Sequence, residues 1–340
     1  MATAGIGADI VDGRRNTRMG INVLSVFDGM ACGLVALKRA GIQVDNYFAS
    51  EIDPYAMKIA KKNHPEIVHL GNIENWREWD LPKIDLMIGG SPCQGFSQVG
   101  HGRNFDDPRS RLFFVYVDVL FHLIDQNPKI QFLLENVKMK QEWQNVISDN
   151  LGVDPVEINS ALVSAQVRKR LYWANWKIEQ PEDKNLVIYD VLEDKGIPVI
   201  KSHGEYQLRP EKAMCLDANY WKGVDNHGQR TIIISSECLE LGHAILNGHD
   251  FIKRVYSIWG KCPTLTAVCG GNQHRKIAIN ECQWRKLTPV ECERLQTLPD
   301  GYTEGVSNTQ RYKMLGNGWT VDVIAHILKS NPKLIHDTVS

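Results

Sequence analysis

The sequence predicts an α/β fold in which an open, mostly parallel sheet with flanking helices is joined to a smaller, loop-rich and mainly β unit. Three observations carry this expectation. Short apolar runs alternate with helical stretches between residues 22 and 174. That rhythm stops near residue 186, beyond which Gly, Asn, His and short β-like runs dominate as far as about residue 285. A Gly-containing loop joins the first apolar run to the first helical stretch. Parallel strands need a helix-length crossover between them, so a repeating strand–helix order implies a parallel sheet. A chain of 340 residues can bury one large core and a smaller one. The expected division is a loose polar tail over 1–20, a larger domain over 21–185 together with 310–340, and a smaller domain over 186–309.

The first strand covers residues 22–27 and runs into Asp28, Gly29, Met30, Ala31, Cys32 and Gly33 before a helix over 34–40. Strand, Gly loop and helix open a nucleotide-type binding unit, although two Gly four residues apart do not make the dinucleotide fingerprint. A second strand over 46–51 ends on Glu51, 22 residues after Gly29, a spacing at which an acid meets a ribose. Glu51 could instead merely cap the helix over 54–63, but the preceding Gly loop favours the ribose role. A third short strand, 67–70, closes on Gly71 and Asn72.

The fourth strand and its exit, residues 84–97, hold the chemistry-bearing turn. An apolar run around Asp85 is halted by Gly89 and Gly90, and Pro92 and Cys93 follow at the strand's carboxyl end, where ligands of open α/β sheets bind. A lone Cys is more often a small buried hydrophobe than a reactive thiol. Residues 98–109 are polar and suit a mobile loop beside a site. Residues 111–124 place Leu112, Val115, Val119 and Leu123 on one helical face. A fifth strand over 131–134 leads to Glu135 and Asn136, so Cys93 and Glu135 leave adjacent strand ends. After a strand-like 157–159, the extended stretch 164–174 carries Arg168 and Arg170, which point the same way because side-chain direction repeats every second residue. They either converge on one anion or base edge or lie solvated on a sheet edge.

Within the smaller unit, 231–234 reads as a strand. Thr288 with Glu291 forms a capping box, and the chain closes with Gly316, Asn317, Gly318 and Trp319 before an apolar helix over 321–328. The eight Cys never form a C-x-x-C pair, which speaks against a zinc or thioredoxin-like motif and suggests a reduced setting. We expect no bound metal, no membrane span and no signal segment, because no apolar run approaches the roughly 18 residues needed to cross a bilayer. The formal net charge is −1. Residues 251–290 nevertheless hold seven basic side chains against the single Glu281, either a solvated face or a phosphate-binding strip.

The ordered set of motifs resembles the cytosine-5 DNA methyltransferases, over nearly the whole chain outside 190–245. The motifs are Phe27-Asp28-Gly29 through Gly33, Glu51, Gly71-Asn72-Ile73, Gly90-Ser91-Pro92-Cys93-Gln94, Glu135-Asn136-Val137, Gln166-x-Arg168-x-Arg170, Arg285-x-Leu287-Thr288-x-x-Glu291-x-x-Arg294-Leu295-Gln296, and Gly316-Asn317-Gly318. Phe27-Asp28-Gly29, Arg111-Leu112-Phe113-Phe114 and Trp319 resemble the branch containing the animal de novo enzymes. The resemblance implies a Rossmann-like class I methyltransferase domain with a mixed, mostly parallel sheet, and a target-recognition domain in the smaller unit.

It also implies transfer of a methyl group from S-adenosylmethionine to carbon 5 of cytosine in duplex DNA, with the base flipped from the helix. Cys93 is then the nucleophile that adds to carbon 6, Glu135 holds or protonates N3, Arg170 binds O2, and Arg168 lends positive charge to the thiol. The cofactor falls to Phe27, Asp28, Gly29, Met30, Gly33, Glu51 on the ribose, Ile52 and Ile73 about the adenine, and Pro92, Leu112, Asn317 and Trp319 nearby. Position 72 is commonly Asp in such proteins; Asn72 can still accept from the adenine amino group, without charge assistance. DNA contacts fall to Gln94, Ser97, Arg254, Tyr256, Thr264, Thr266, Gly270 and Gly271, while Lys253, Lys261, Arg275 and Lys276 position phosphates. The resemblance admits a cognate restriction nuclease as a partner. The expected location is the cytoplasm of a bacterial, archaeal or phage-infected cell, or the nucleus of a eukaryote.

Three rivals stand beside this reading: methylation of transfer-RNA cytosine, a catalytically silent DNA-binding subunit, and a thiol hydrolase. The chain lacks the Cys-Phe-Thr tripeptide of the first, retains Cys93, Glu135, Arg168 and Arg170 against the second, and shows no His in a pairing position for the third.

Overall fold

The computed structural model describes residues 20–91, 108–194, 197–202, 205–208, 211–216, 218, 220, 230–234, 240–243, 254–256 and 284–335. Its centre is a seven-stranded sheet in the order β3-β2-β1-β4-β5-β7-β6. The strands are β1 (Ile21–Val26), β2 (Val44–Ser50), β3 (Val68–His69), β4 (Leu86–Gly90), β5 (Gln131–Val137), β6 (Val156–Asn159) and β7 (Lys169–Ala174). The pairings β1–β2, β2–β3, β1–β4 and β4–β5 are parallel, and β7 runs antiparallel to both β5 and β6. The expected mixed, mostly parallel sheet is what forms. β1 is buried at every position, as a strand covered on both faces must be.

The helices are α1 (Cys32–Ala40), α2 (Pro54–Asn63), α3 (Pro108–Gln126), α4 (Gln141–Leu151), α5 (Pro289–Leu295), α6 (Asn308–Asn317), α7 (Val321–Lys329) and α8 (Pro332–Ile335). α1 and α7 pack in one hydrophobic cluster with β1 residues Ile21 and Val23. α3 and α4 supply Phe113, Tyr116, Leu120 and Ile147 to a second cluster with Leu24, Val26 and Leu134. The two clusters are therefore the two faces of one sheet. Asp53 starts α2 by accepting from Tyr55 N and Ala56 N, with Pro54 at the first helical position, a favoured N-terminus. The expected capping box of α5 is present: Glu291 N donates to Thr288 Oγ1 at 3.1 Å and Thr288 N to Glu291 Oε2 at 2.7 Å.

Two elements extend the expectation. α4 was not anticipated, although Trp143, Ile147 and Leu151 share its core-facing side. Cys292, Leu295, Leu298 and Tyr302, before the expected return to the larger domain at residue 310, lie in the same cluster as Val321 and Ile324. The loop-rich unit contributes β8 (Ile197–Ser202), β9 (Glu205–Leu208), β10 (Arg230–Ile234) and β13 (Trp284–Lys286), in one sheet ordered β13-β10-β8-β9. β11 (Glu240–His243) and β12 (Arg254–Tyr256) form a two-stranded ribbon. Its mainly β character is as expected.

Candidate active site

The carboxyl ends of β1, β2, β4 and β5 share an edge, and one cavity of about 360 Å³ opens there. The turn after β1 is built from left-handed backbone: Phe27, Gly29 and Ala31 have φ of 57°, 61° and 67°. For Phe27 this is an uncommon conformation, of the kind that clusters at ligand sites. Glu51, at the end of β2, locks the turn. Its Oε2 accepts from Gly29 N at 2.8 Å, and its Oε1 from Ile52 N at 2.7 Å and Asp53 N at 2.8 Å. A carboxylate offers about four lone-pair positions, so one remains for a ligand hydroxyl.

Beneath the turn, Asp28 Oδ1 accepts from Ser25 Oγ and Tyr47 OH, both at 2.6 Å. Its Oδ2 is buried and has no hydrogen-bond partner among the described residues. Burial, with Glu51 adding to it, pushes the Asp28 carboxyl up to about 7 against the two hydroxyl donors. At the rim, Ile52 is 71% exposed while Ile73 is 3% exposed; both line the cavity. An unpaired buried carboxylate oxygen, a carboxylate with a free lone pair and an outward apolar side chain suit a ligand that combines an ammonium group, a ribose and a flat base. S-adenosylmethionine has these three parts, and the residues fit it.

Of the residues that the resemblance assigns to the cofactor, Phe27, Asp28, Gly29, Met30, Glu51, Ile52, Asn72, Ile73, Leu112, Asn317 and Trp319 line the cavity. Gly33 does not. A Cβ there would lie 2.5 Å from Ile88 Cδ1 and 2.8 Å from Tyr47 OH, so this glycine lets α1 approach the sheet. Asn72 is partly engaged: its Oδ1 accepts from Glu74 N at 3.1 Å and its Nδ2 donates to Glu74 Oε2 at 3.2 Å. Cys32, within the Gly29–Gly33 loop, also lines the cavity, and sequence reasoning missed Ser50, Asp53 and Lys313 on the lining. Lys313 Nζ meets Asp53 Oδ2 at 2.7 Å and joins α6 to the start of α2.

The other half of the cavity is the β4–β5–β7 end. Gly90 stands beside Glu135 in the parallel register. Glu135 is held at both oxygens: Oε1 by Arg170 Nε at 3.1 Å and Oε2 by the Trp319 indole N–H at 3.0 Å. Asn136 Nδ2 donates to Ser91 Oγ at 3.0 Å, fixing the last described residue before Cys93. Pro92, Cys93, Gln94, Ser97, Thr264, Thr266, Gly270 and Gly271 lie outside the described residues, as does the polar segment 98–107. Arg254 and Tyr256 sit on β12.

Arg168 and Arg170 leave the same stretch of chain but do different things. Arg168 is buried, and its two terminal nitrogens donate to Gly316 O, Gly318 O and Leu216 O between 2.9 and 3.2 Å. The guanidinium is a clamp on the chain before Trp319, a role that the expectation of charge lent to Cys93 did not include. Both arginines also reach Cys215 Sγ, Arg168 Nη1 at 3.4 Å and Arg170 Nη2 at 3.9 Å. Burial opposes the Cys215 thiolate, yet the two guanidinium groups outweigh it and hold the thiol below its usual range. Burial pushes the Cys32 thiol up to about 12. Among the described residues no three His, Cys, Asp or Glu side chains group to hold a metal ion, and no helix is long and apolar enough to cross a membrane.

Comparison with known proteins accords with this geometry. The model of the family described as C-5 cytosine-specific DNA methylase matches residues 21–148 and 160–333. Among curated relatives, the orphan methyltransferase M.Rho11sI of Bacillus phage rho11s is 24% identical, with 94% of this chain and 99% of the relative covered. The type II methyltransferase M1.ScrFI of Lactococcus lactis subsp. cremoris is 28% identical, with 83% of this chain and 70% of the relative covered. Among solved structures, the Dnmt2 methyltransferase of S. pombe superposes with a TM-score of 0.56 at 18% identity, covering 90% of this chain and 96% of that one. The Spodoptera frugiperda DNMT2 mutant structure gives 0.58 at 17% identity, covering 92% and 99%.

Proposed function

Because the chain belongs to the C-5 cytosine-specific DNA methylase family, we propose that it methylates carbon 5 of cytosine in duplex DNA, using S-adenosylmethionine and a covalent Cys93 adduct on a flipped base. The observation that carries this reading is the Glu135–Arg170 pair at the end of β5, lining the same cavity as the Glu51 cradle. Curated relatives named as phage orphan and type II methyltransferases support DNA as the substrate.

Cytosine carbon 5 is a weak nucleophile. Addition of the Cys93 thiolate to carbon 6 makes it reactive. Glu135 meets N3 and Arg170 meets O2, so charge that develops on the ring is balanced by groups already in place. Glu51, Asp28, Ile52 and Ile73 would hold the cofactor, which supplies an electrophilic sulfonium methyl. Removal of the carbon 5 proton then expels Cys93 and restores the ring. Lys253, Lys261, Arg275 and Lys276 position DNA phosphates, with Arg254, Tyr256 and residues 264–271 toward the bases. A restriction nuclease remains a candidate partner, and a DNA-containing compartment the proposed location.

The experiment compares incorporation of labelled methyl into duplex DNA and transfer RNA, and seeks a covalent complex on DNA containing 5-fluorocytosine. DNA labelling with a trapped adduct, both lost in Cys93→Ser, is the expected result. Labelling of transfer RNA alone, or full activity in Cys93→Ser, would overturn the proposal.

A further inference from the structure

We propose that Trp319 is a positioning residue of the methyl transfer, whose indole N–H fixes the Glu135 carboxylate and makes the cofactor pocket wall and the base-binding acid one unit. The inference rests on the function proposed above for Glu135.

Glu135 is 8% exposed and sits where water cannot fully solvate both oxygens. Arg170 Nε satisfies Oε1 at 3.1 Å, leaving Oε2 to the Trp319 Nε1 donor at 3.0 Å. With both oxygens held, the carboxyl plane cannot rotate without breaking one contact. Trp319 is thereby more than a wall of the cavity it lines.

Two glycines place the indole. A Cβ on Gly33 would lie 3.5 Å from Trp319 Cζ3, and one on Gly90 would lie 3.0 Å from both Trp319 Nε1 and Glu135 Oε2. The six-membered edge of the ring therefore faces α1, while the N–H edge enters a gap beside β4 that only a glycine leaves open. The backbone before Trp319 is fixed in turn by Arg168, which donates to Gly318 O at 2.9 Å, and Gln296 Nε2 donates to Leu315 O at 2.6 Å. The ring thus bears on two sides of one problem, through its face on the cofactor cavity and through its N–H on the acid that meets the base.

The test uses the full-length protein with two changes at position 319: Trp319→Phe, and single-site replacement by benzothienylalanine, an indole isostere whose sulfur removes the N–H. Binding of S-adenosylhomocysteine is expected to change by less than about threefold for the isostere, while the single-turnover rate on duplex DNA falls at least about tenfold, as for loss of a hydrogen bond to a charged group. Weakened S-adenosylhomocysteine binding with an unchanged single-turnover rate would show Trp319 to be a pocket wall only and would overturn the proposal. If the unmodified protein methylated no DNA, the reading of function would fail by itself. The indole N–H resonance of Trp319, assigned by its loss in Trp319→Phe, would then decide: it must shift in Glu135→Gln, and a resonance that did not shift would overturn the proposal.

Discussion

The Arg168 guanidinium donates to the Gly318 carbonyl at 2.9 Å across 150 residues of sequence. It donates to Gly316 O as well, so one buried cation satisfies the carbonyls at the end of α6 and presents Asn317 and Trp319 to the cavity. Lysine offers a point charge in place of a planar fork. We expect Arg168→Lys to lower unfolding stability by about 2–4 kcal/mol and to weaken S-adenosylhomocysteine binding at the same time. Denaturant titration with calorimetry checks both; an unchanged midpoint would contradict the clamp.

Glu51 accepts three backbone N–H groups, and this leaves its remaining lone pair aimed by geometry rather than by chance. Gln at this position must turn an NH₂ toward a backbone donor. Glu51→Gln should weaken S-adenosylhomocysteine binding by at least about tenfold, roughly 1.4 kcal/mol, measured by calorimetry. Unaltered affinity would remove Glu51 from the ligand site.

Asp28 carries a pH signature. Burial raises its carboxyl to about 7 in the folded protein, above the value near 4 of an unfolded aspartate. The folded state then holds the proton more tightly, so the contribution of Asp28 to stability is complete below about pH 4 and is lost as pH rises to about 7. Relative to the wild type, Asp28→Asn should gain stability across that window, on the order of a few kcal/mol at pH 8. Chemical denaturation at pH 4 and pH 8 measures it; an equal difference at both pH values would count against the buried carboxyl.

Cys215 should be the most reactive of the three cysteines among the described residues. Burial raises Cys32 to about 12 and Cys292 well above its usual value, whereas Arg168 and Arg170 hold Cys215 low. Thiolate is the nucleophilic form. Brief alkylation at pH 7 in a Cys93→Ser background, read by peptide mass spectrometry, should label Cys215 before the other two. Labelling of Cys32 first would refute the assignment.

Much of the fold was legible because its signals are local. Each strand of the sheet is an apolar run of its own, Thr288 and Glu291 announce α5 three residues apart, and Gly29 and Glu51 belong to consecutive β–α units. α4 was legible too, since Trp143, Ile147 and Leu151 keep helical spacing, but its polar residues masked the pattern. The close packing of Gly33 was not legible because a glycine's role depends on what stands opposite, here Ile88 and Tyr47 from two strands.

By itself the sequence determined the order of elements, the family motifs and which carboxylates and arginines reach the same sheet edge, because periodicity and turn chemistry act over a few residues. Only the tertiary structure decided how those groups divide their work. Arg168 clamps backbone while Arg170 pairs with Glu135, and Cys215 sits 47 residues from the first of them. Trp319 donates to Glu135 from 184 residues away. Such distances are closed by packing of the whole chain, and a hydrogen bond of 3.0 Å leaves no trace in the spacing of the residues that make it.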